Sequence, residues 1–557
     1  MNTRMRRDLV LSTRDSLVAD EVIDLRDDPG RAGTSRADEA DQGADQADGD
    51  QADGDPSTGR AGGERRTTLL IAAGLAVLTA VSRIVAIGSA GQITVDEIFY
   101  TGLGHSVRLG HVPPVLLTSE PGGGGVFLLH PPGFFVLEAA WELIAGHPTH
   151  VVDQVVRARY LNAVLAVITA VVLFALGRRL AGRTLGIVAA ALFIVDPFVL
   201  RQNNLVFIET ATMMWLVVGL LLLVRVIQGA ASRPRLEVAL AGLALGFAIA
   251  TKDMAGLPVL GLLLVLLVTG WCLQRRDALL ALVLAIVPYA LFFGSTAAQG
   301  FGDDLIDQKT IGFRRALGLA VSTGFNKEGS PSLVTKLLGD AGTFVFTYGL
   351  VAVGSLCAVA LLWDRRPERR LVGLFTIGAG VLLVYSLVFG TIEEQFLYFL
   401  AVPCVLSIIC VVPRLVGHGP TVRRGVRAAA VALLAVVLVW NVAAWCRVRV
   451  GSTNGLDEFV AYLRTDIPKG TPVAYTNGVL EFTLESEGYR AVPLGTPGEM
   501  KAQGVRYLAA LPKEIEENYS WVTSDALARL EASSDRRFVG STESPIVVLE
   551  ARDPDVW

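Results

Sequence analysis

Apolar stretches of about one membrane thickness recur along the chain, separated by short polar connectors. A transmembrane helix needs about 20 residues, because each residue adds about 1.5 Å toward a hydrocarbon core of about 30 Å. The chain has eleven stretches near this length, and we predict that each is a membrane-spanning helix. They are Leu69–Ile87, Arg157–Gly177, Leu185–Leu200, Leu205–Ile227, Leu236–Ala250, Gly256–Cys272, Ala278–Thr296, Gly342–Leu362, Leu371–Phe389, Phe396–Leu415 and Ala428–Cys446.

A further apolar run, Gly133–Ala145, is too short to span a membrane. As a helix it reaches only roughly 20 Å, so we predict an interfacial helix. The basic residues support this interpretation, because cytoplasmic connectors of membrane proteins are enriched in Lys and Arg. With eleven spans, every basic connector falls on the cytoplasmic side. These connectors are residues 178–183, 233–235, 275–276, 365–370 and 414–427.

The same topology places one long loop, residues 91–156, and several shorter segments outside the cytoplasm. The shorter segments are residues 201–204, 251–253, 297–340 and 391–395, followed by the C-terminal tail.

The tail differs in pattern from the rest of the chain. Short apolar strands at Thr471–Tyr475 and Ser544–Glu550 alternate with helical stretches at Leu456–Leu463 and Ser524–Ala532. We therefore predict that residues 451–557 form a small extracytoplasmic α/β domain that folds independently. The predicted fold class is a polytopic α-helical membrane protein with about 11 transmembrane helices and this C-terminal domain.

The first 65 residues are predicted to be a disordered, acidic cytoplasmic tail. Between Ala37 and Asp55 there are eight acidic residues, no basic residue and no aromatic residue. Such a segment cannot bury enough apolar surface to offset its loss of conformational entropy. We expect no signal peptide, because the first long apolar run begins only at Thr67. Arg65 and Arg66 precede that run and place its start in the cytoplasm, as in a multi-pass plasma-membrane protein.

Composition agrees with this picture. Hydrophobic residues make up 52% of the chain and charged residues only 18%, whereas soluble domains are about 25% charged. The net charge of −4 indicates no nucleic-acid partner. All five cysteines lie in or beside apolar stretches, and we interpret them as small buried hydrophobic residues without a disulfide framework.

The 91–156 loop carries an unusual set of polar residues. It begins with Asp96-Glu97, contains five of the six histidines, and continues through four glycines at 122–125 to His130-Pro131-Pro132. An isolated acidic pair is more often a solvated loop feature than a catalytic one. A carboxylate at the membrane edge can nevertheless serve as a general base. The histidines are candidates for zinc binding together with Asp96, but their spacing is not that of a compact zinc motif.

Two further ionisable residues are predicted on the same membrane face. Glu209 lies about one turn into a span, and Lys252 stands between two spans. Ionisable groups at membrane depth are either paired or functional. Carboxylates are suited to deprotonating an acceptor hydroxyl, and cations are suited to a phosphate leaving group.

In the order and spacing of these motifs the chain resembles the GT-C superfamily of polyprenyl-phosphate-sugar glycosyltransferases. The resemblance is to the aminoarabinose-transferase-like and protein O-mannosyltransferase-like branches. It rests on Asp96-Glu97, His130-Pro131-Pro132, the basic turn 177–183, Asp196-Pro197 followed by Glu209, and Thr251-Lys252. Family members often have Asp at the position of Glu209. They also carry an Arg-Tyr pair in a late outer turn, where this chain has Tyr398 after Glu393-Glu394-Gln395 without the Arg.

The resemblance implies that residues 66–450 are a GT-C-type transmembrane catalytic domain that transfers sugar with inversion to a cell-envelope glycan, lipid or protein. In this scheme Asp96 is the base, while Glu97 and Glu209 orient acceptor or sugar, or hold a divalent metal ion. His130 and Lys252 bind the donor phosphate, with Arg201 and Tyr398 as further substrate-binding residues. The activated lipid supplies the energy, so no nucleotide cofactor is expected. The alternatives are an ion-coupled transporter, which predicts internal repeats and broken helices, and a non-catalytic membrane scaffold.

Overall fold

The computed structural model describes residues 56–89, 92–116, 125–316, 319, 333–389, 395–415, 420–450, 453–516, 520–542 and 545–553. Of the tail predicted to be disordered, residues 1–55 lie outside the described residues, whereas residues 56–65 form the start of the helix Pro56–Ile84. The glycines at 122–124 and the turn at 391–394 also lie outside the described residues. The chain divides into two units, Met1–Ile71 and Ala72–Trp557. The candidate site residues and the C-terminal tail belong to the second unit.

The described part of the chain is predominantly helical up to residue 449. The helices in this region are α1 Pro56–Ile84, α2 Val95–Arg108, α3 Gly133–Ala145, α4 Val151–Ala181, α5 Arg183–Val195, α6 Pro197–Asn204, α7 Ile208–Ile227, α8 Pro234–Thr251, α9 Gly256–Thr269, α10 Arg275–Ala298, α11 Gly302–Ala316, α12 Leu333–Leu361, α13 Pro367–Phe389, α14 Gln395–Leu415 and α15 Pro420–Arg449. A short 3₁₀ turn, Asp253–Ala255, separates α8 from α9.

Every predicted span coincides with one of these helices or with a pair of them. Among the described residues, eight helices are long and apolar enough to cross a membrane, and a bent pair adds a ninth if it counts as one span. The bent pair is α5 and α6, which meet at an angle of 60°. Asp196 ends α5 and caps α6 through a 2.9 Å hydrogen bond from Val199 N–H, and Pro197 opens the new helix. The chain is thus a multi-pass α-helical membrane protein, and the count of eleven spans stays a prediction.

The C-terminal tail contains a five-stranded mixed sheet, as its alternating pattern predicted. Its helices are α16 Leu456–Asp466, α17 Gly478–Ser486, α18 Pro497–Ala502, α19 Pro512–Glu516 and α20 Ser524–Ala532. Its strands are β1 Pro472–Tyr475, β2 Arg490–Pro493, β3 Tyr507–Ala510, β4 Ser534–Val539 and β5 Val547–Ala551. The strand order is β2-β1-β3-β5-β4; the first three are parallel and the last two pairings are antiparallel.

The two faces of this sheet join different hydrophobic clusters, because successive side chains of a strand point to opposite sides. Ala474 belongs to a cluster within the tail, whereas its neighbours Val473 and Tyr475 belong to a larger one. The larger cluster also contains Ile98 of α2 and Phe134 of α3. The tail therefore shares a core with the 91–156 segment, which argues against the independent folding that its sequence suggested.

Direct contacts join the tail to α2. The rings of Phe99 and Phe482 pack edge to face at 5.4 Å between centroids. Gly478 lies so close to α2 that a Cβ atom there would come within 2.9 Å of Val95 Cγ2. A side chain at the start of α17 would therefore have to displace Val95, and the start of α2 packs against both the membrane-domain helices and the tail.

Candidate active site

The acidic pair Asp96-Glu97 lies in the first turn of α2. Thr94 caps the helix: Glu97 N–H donates to Thr94 Oγ1 over 3.4 Å, and Thr94 N–H donates to Glu97 Oε2 over 3.1 Å. This reciprocal capping box fixes where α2 begins. Asp96 is half-buried beside it, at a helix end where the macrodipole favours a negative charge.

Glu97 is fully buried and fully engaged by the protein. Arg159 of α4 donates from Nε to Oε1 over 2.8 Å and from Nη2 to Oε2 over 3.0 Å, and both side chains are 0% exposed. Val206 N–H donates to Oε1 over 2.9 Å. Glu97 therefore joins α2 to α4 and to the segment between α6 and α7. This geometry suits a positioning role for Glu97 rather than direct contact with a sugar.

Glu209 and Lys252 form a buried ion pair between the first turn of α7 and the residue that follows α8. Glu209 is 1% exposed and Lys252 is 4% exposed. The second carboxylate oxygen of Glu209, Oε2, accepts no hydrogen bond from the residues that the structure describes. The pair therefore has acceptor capacity left for a ligand hydroxyl or a metal ion.

The His130-Pro131-Pro132 motif leads into α3 directly beside this pair. A Cβ atom on Gly133 would lie 2.6 Å from the carbonyl oxygen of Ala250 and 2.8 Å from Thr251 Oγ1. Only glycine permits this approach, which places the motif against the end of α8, next to Lys252. His130 itself is half-buried, with its ring centroid 6.0 Å from that of Tyr100.

A second lysine, not identified from the sequence, reaches the same region. Lys309 of α11 donates from Nζ to the carbonyl oxygen of Leu129 over 2.9 Å and forms an ion pair with Asp253. Burial lowers the pKa of Lys309, and the carboxylate of Asp253 opposes that shift. Its only sequence signal was a lysine within the 297–340 segment. The contact with Asp253 depends on a fold that joins residues 56 positions apart.

Arg201 of α6 and Tyr398 of α14 both make contacts with neighbouring side chains of the protein. The guanidinium of Arg201 stacks over the ring of Phe344, 4.6 Å from its centroid. Tyr398 is 0% exposed, and its hydroxyl accepts a 2.7 Å hydrogen bond from Asn203 Nδ2. Asn203 Nδ2 also donates to Thr210 Oγ1 over 3.2 Å, one residue beyond Glu209. Tyr398 is therefore part of the packing that supports Glu209.

The histidines of the 91–156 segment do not gather around Asp96 in the described structure. His105 and His147 both contact Glu142, and His150 Nδ1 lies 2.9 Å from Glu487 Oε1 in the tail. Burial raises the pKa of Glu142, but the hydrogen bonds from His147 and His105 outweigh it and hold this pKa below its ordinary value. Among the described residues, the candidate group of metal ligands contains Glu142 and these two histidines but not Asp96.

Residues 137–298 match the model of the dolichyl-phosphate-mannose-protein mannosyltransferase family. The fold is similar to that of ArnT from Cupriavidus metallidurans, solved with undecaprenyl phosphate, at a TM-score of 0.55 and 15% identity, covering 86% of this chain and 97% of that one. The archaeal oligosaccharyltransferase AglB from Archaeoglobus fulgidus, solved with an inhibitory peptide and a dolichol-phosphate, gives a TM-score of 0.54 at 12% identity over 88% of this chain and 75% of that one. No curated protein sequence matches the chain.

These proteins are GT-C glycosyltransferases. The chain has a GT-C fold. The superfamily resemblance predicted from the sequence is thereby confirmed, and the structural similarity to ArnT covers 86% of this chain. Within this GT-C fold, direct contacts join the segments that carry the polar residues identified from the sequence. Glu97 of α2 contacts Val206, and Glu209 contacts Lys252. Lys309 contacts both Asp253 and the carbonyl oxygen of Leu129.

Proposed function

We propose that this protein is a membrane glycosyltransferase that moves a sugar from a polyprenyl-phosphate donor to a hydroxyl of a cell-envelope acceptor on the extracytoplasmic face. The observation that carries the proposal is a GT-C fold in which Glu97, beside the half-buried Asp96, contacts the segment before Glu209, Glu209 pairs with Lys252, and the His130 motif packs against the end of α8. A base and a cluster of cations are what this reaction needs.

The proposed reaction is a single displacement. Asp96 accepts the proton of the acceptor hydroxyl as its oxygen attacks the anomeric carbon. The bond from that carbon to the phosphate oxygen breaks, and the electron pair leaves with the polyprenyl phosphate, so that the sugar is transferred with inversion. Lys252 and His130 stabilise the phosphate, and Lys309 is placed to add a third cationic group. Arg201 is a weaker candidate for the same task.

The remaining residues have supporting roles in this proposal. Glu209 uses its open oxygen to orient acceptor or sugar, or to hold a divalent metal ion. Glu97 positions the start of α2 through Arg159, and Tyr398 supports the segment that carries Glu209. Residues 66–450 are the catalytic domain, and the tail 451–557 holds α2 in place through its shared core.

Supplying the purified protein with a panel of labelled polyprenyl-phosphate sugars and an envelope extract as acceptor tests the proposal. We expect release of polyprenyl phosphate with labelled product from at least one lipid donor. Nucleotide sugars carrying the same sugars are the matched control and should give no product. Absence of turnover with every lipid donor, together with solute-driven proton uptake into reconstituted vesicles, would instead support the transporter.

The extracytoplasmic placement is tested by reporters fused at two positions. A reporter that is active only outside the cytoplasm should function after Gly451. It should fail after Gly270, in the connector between α9 and α10 that precedes Arg275 and Arg276. A reporter that is active after Gly270 and inactive after Gly451 would place Asp96 and Lys252 in the cytoplasm. That result would exclude an extracytoplasmic active site at these residues.

A further inference from the structure

Three side chains from three consecutive parts of the 91–156 segment meet at one point. His105 lies on α2, Glu142 on α3, and His147 just after α3. The Nδ1 atom of His105 is 2.9 Å from Glu142 Oε2, and the Nδ1 atom of His147 is 2.8 Å from Glu142 Oε1. The ligand atoms of all three lie within 4.8 Å of one another.

The backbone is shaped to bring His147 back to the helix that it has just left. Gly146 ends α3 with a φ of 78°, in the left-handed region that favours glycine, and its N–H donates to the Glu142 carbonyl over 2.8 Å. This reversal places the ring of His147 on that of His105, with centroids 3.6 Å apart and planes 14° from parallel. Both Nδ1 atoms therefore point at the same carboxylate from one side.

Two histidines and one carboxylate form a ligand set typical of zinc. A tetrahedral zinc ion with bonds of about 2.0–2.1 Å keeps its ligand atoms roughly 3.3 Å apart. The observed nitrogen–oxygen separations of 2.8 and 2.9 Å are hydrogen-bond distances, and they need to widen by about 0.5 Å to reach this value. Stacked imidazoles that are both protonated would repel each other, whereas zinc binds the neutral form of each ring.

The cluster is open on one side. The side chains of His105 and His147 are 21% and 22% exposed, so a water molecule can reach a fourth ligand position. Arg108 is the one other charged group that contacts Glu142 among the described residues, with Nη1 at 3.3 Å from Oε2. Its side chain is 33% exposed and can turn into solvent when another cation arrives.

We propose that His105, Glu142 and His147 bind a zinc ion with water as the fourth ligand. The site joins α2, which carries Asp96, to α3, which begins at the His130-Pro131-Pro132 motif. His105 is nine residues from Asp96, or about 13.5 Å along a helix. The zinc ion therefore fixes the angle between two elements of the candidate active site and does not contact the reacting atoms.

Metal content of the full-length protein tests this inference without any assay of transfer. The protein is purified through a tag without histidine, stripped with a chelator and loaded with zinc. We expect about one zinc ion per chain, a higher thermal midpoint with zinc than without, and tetrahedral absorbance bands when cobalt replaces zinc. His147→Asn should weaken zinc binding by at least about 100-fold, more than the loss of an outer-sphere partner would cause.

Two further variants serve as a control and as an independent test of zinc binding. His111→Asn changes an exposed histidine of the same segment and should keep full zinc binding. Arg108→Gln removes the competing cation and should tighten zinc binding, which covers the case in which His147→Asn does not fold. Stoichiometric zinc in folded His147→Asn, or no zinc in the loaded wild-type protein, would show that these residues form only a hydrogen-bonded cluster.

Discussion

Replacing Asp96 with asparagine is expected to lower sugar transfer by at least about 100-fold while the protein stays folded in the membrane. A hydroxyl is a poor nucleophile at neutral pH, and a positioned general base contributes about 10²–10⁴-fold. Asparagine keeps the size of the side chain and removes its basicity. The measurement is the rate of transfer from a saturating lipid donor, normalised to protein abundance, with donor binding measured separately.

Asp153→Asn is the matched control for this variant. Asp153 also lies in the first turn of a helix within the 91–156 segment, but it is exposed. Both variants lose the same favourable interaction with a helix dipole, which is worth about 0.3–1 kcal/mol. Only Asp96→Asn should lose transfer. Equal activity of the two variants at equal abundance would remove Asp96 from the chemistry.

Glu97→Gln is expected to lower the stability of the protein, whereas Asp96→Asn is expected to lower the rate of transfer. Arg159 would lose its carboxylate while staying fully buried, and the loss of one partner of a buried ion pair costs about 3–5 kcal/mol. The expected result is low abundance or a lowered thermal midpoint, with transfer reduced in proportion to the folded protein. This result, together with that for Asp96→Asn, would distinguish a base from a positioning residue among the two neighbouring carboxylates of α2.

Variants of the Glu209–Lys252 pair are expected to lose sugar transfer even when their stability is restored by a second substitution. Lys252→Met alone leaves Glu209 buried without its cation, and Glu209→Gln alone leaves Lys252 without its carboxylate. Each single variant should be destabilised by about 3–5 kcal/mol. The double variant Glu209→Gln/Lys252→Met carries no unpaired charge at this place and should regain most of the lost stability.

Transfer should not recover in the double variant if Lys252 binds the donor phosphate. A hydrogen bond to a charged group contributes about 1.5–3 kcal/mol, which corresponds to about 10–100-fold in kcat/KM. Most of this loss should be a raised donor KM, because the contact with phosphate exists before the transition state as well as in it. A stable double variant with normal kcat/KM would make the pair purely structural.

The sequence alone determined the features that depend only on residues close together along the chain. The apolar stretches predicted the helices because a membrane requires about 20 apolar residues in a row wherever a helix crosses it. Gly133–Ala145 was predicted as a short helix and is one, since Pro131-Pro132 precede it and Gly146 follows. In the tail, the predicted Thr471–Tyr475 strand became β1 Pro472–Tyr475, because its alternation of side chains is itself a local property.

What only the tertiary structure decided is which polar groups meet. Glu97 and Arg159 are 62 residues apart, and Glu209 and Lys252 are 43 apart, so no local pattern could pair them. The adjacent acids Asp96 and Glu97 look alike in the sequence, yet one is half-buried and the other fully enclosed by Arg159. Burying a charge is strongly unfavourable unless the fold supplies a partner. Helix packing therefore determined that Glu97 is held as a buried structural group, whereas Asp96 is half-buried at the start of the same helix.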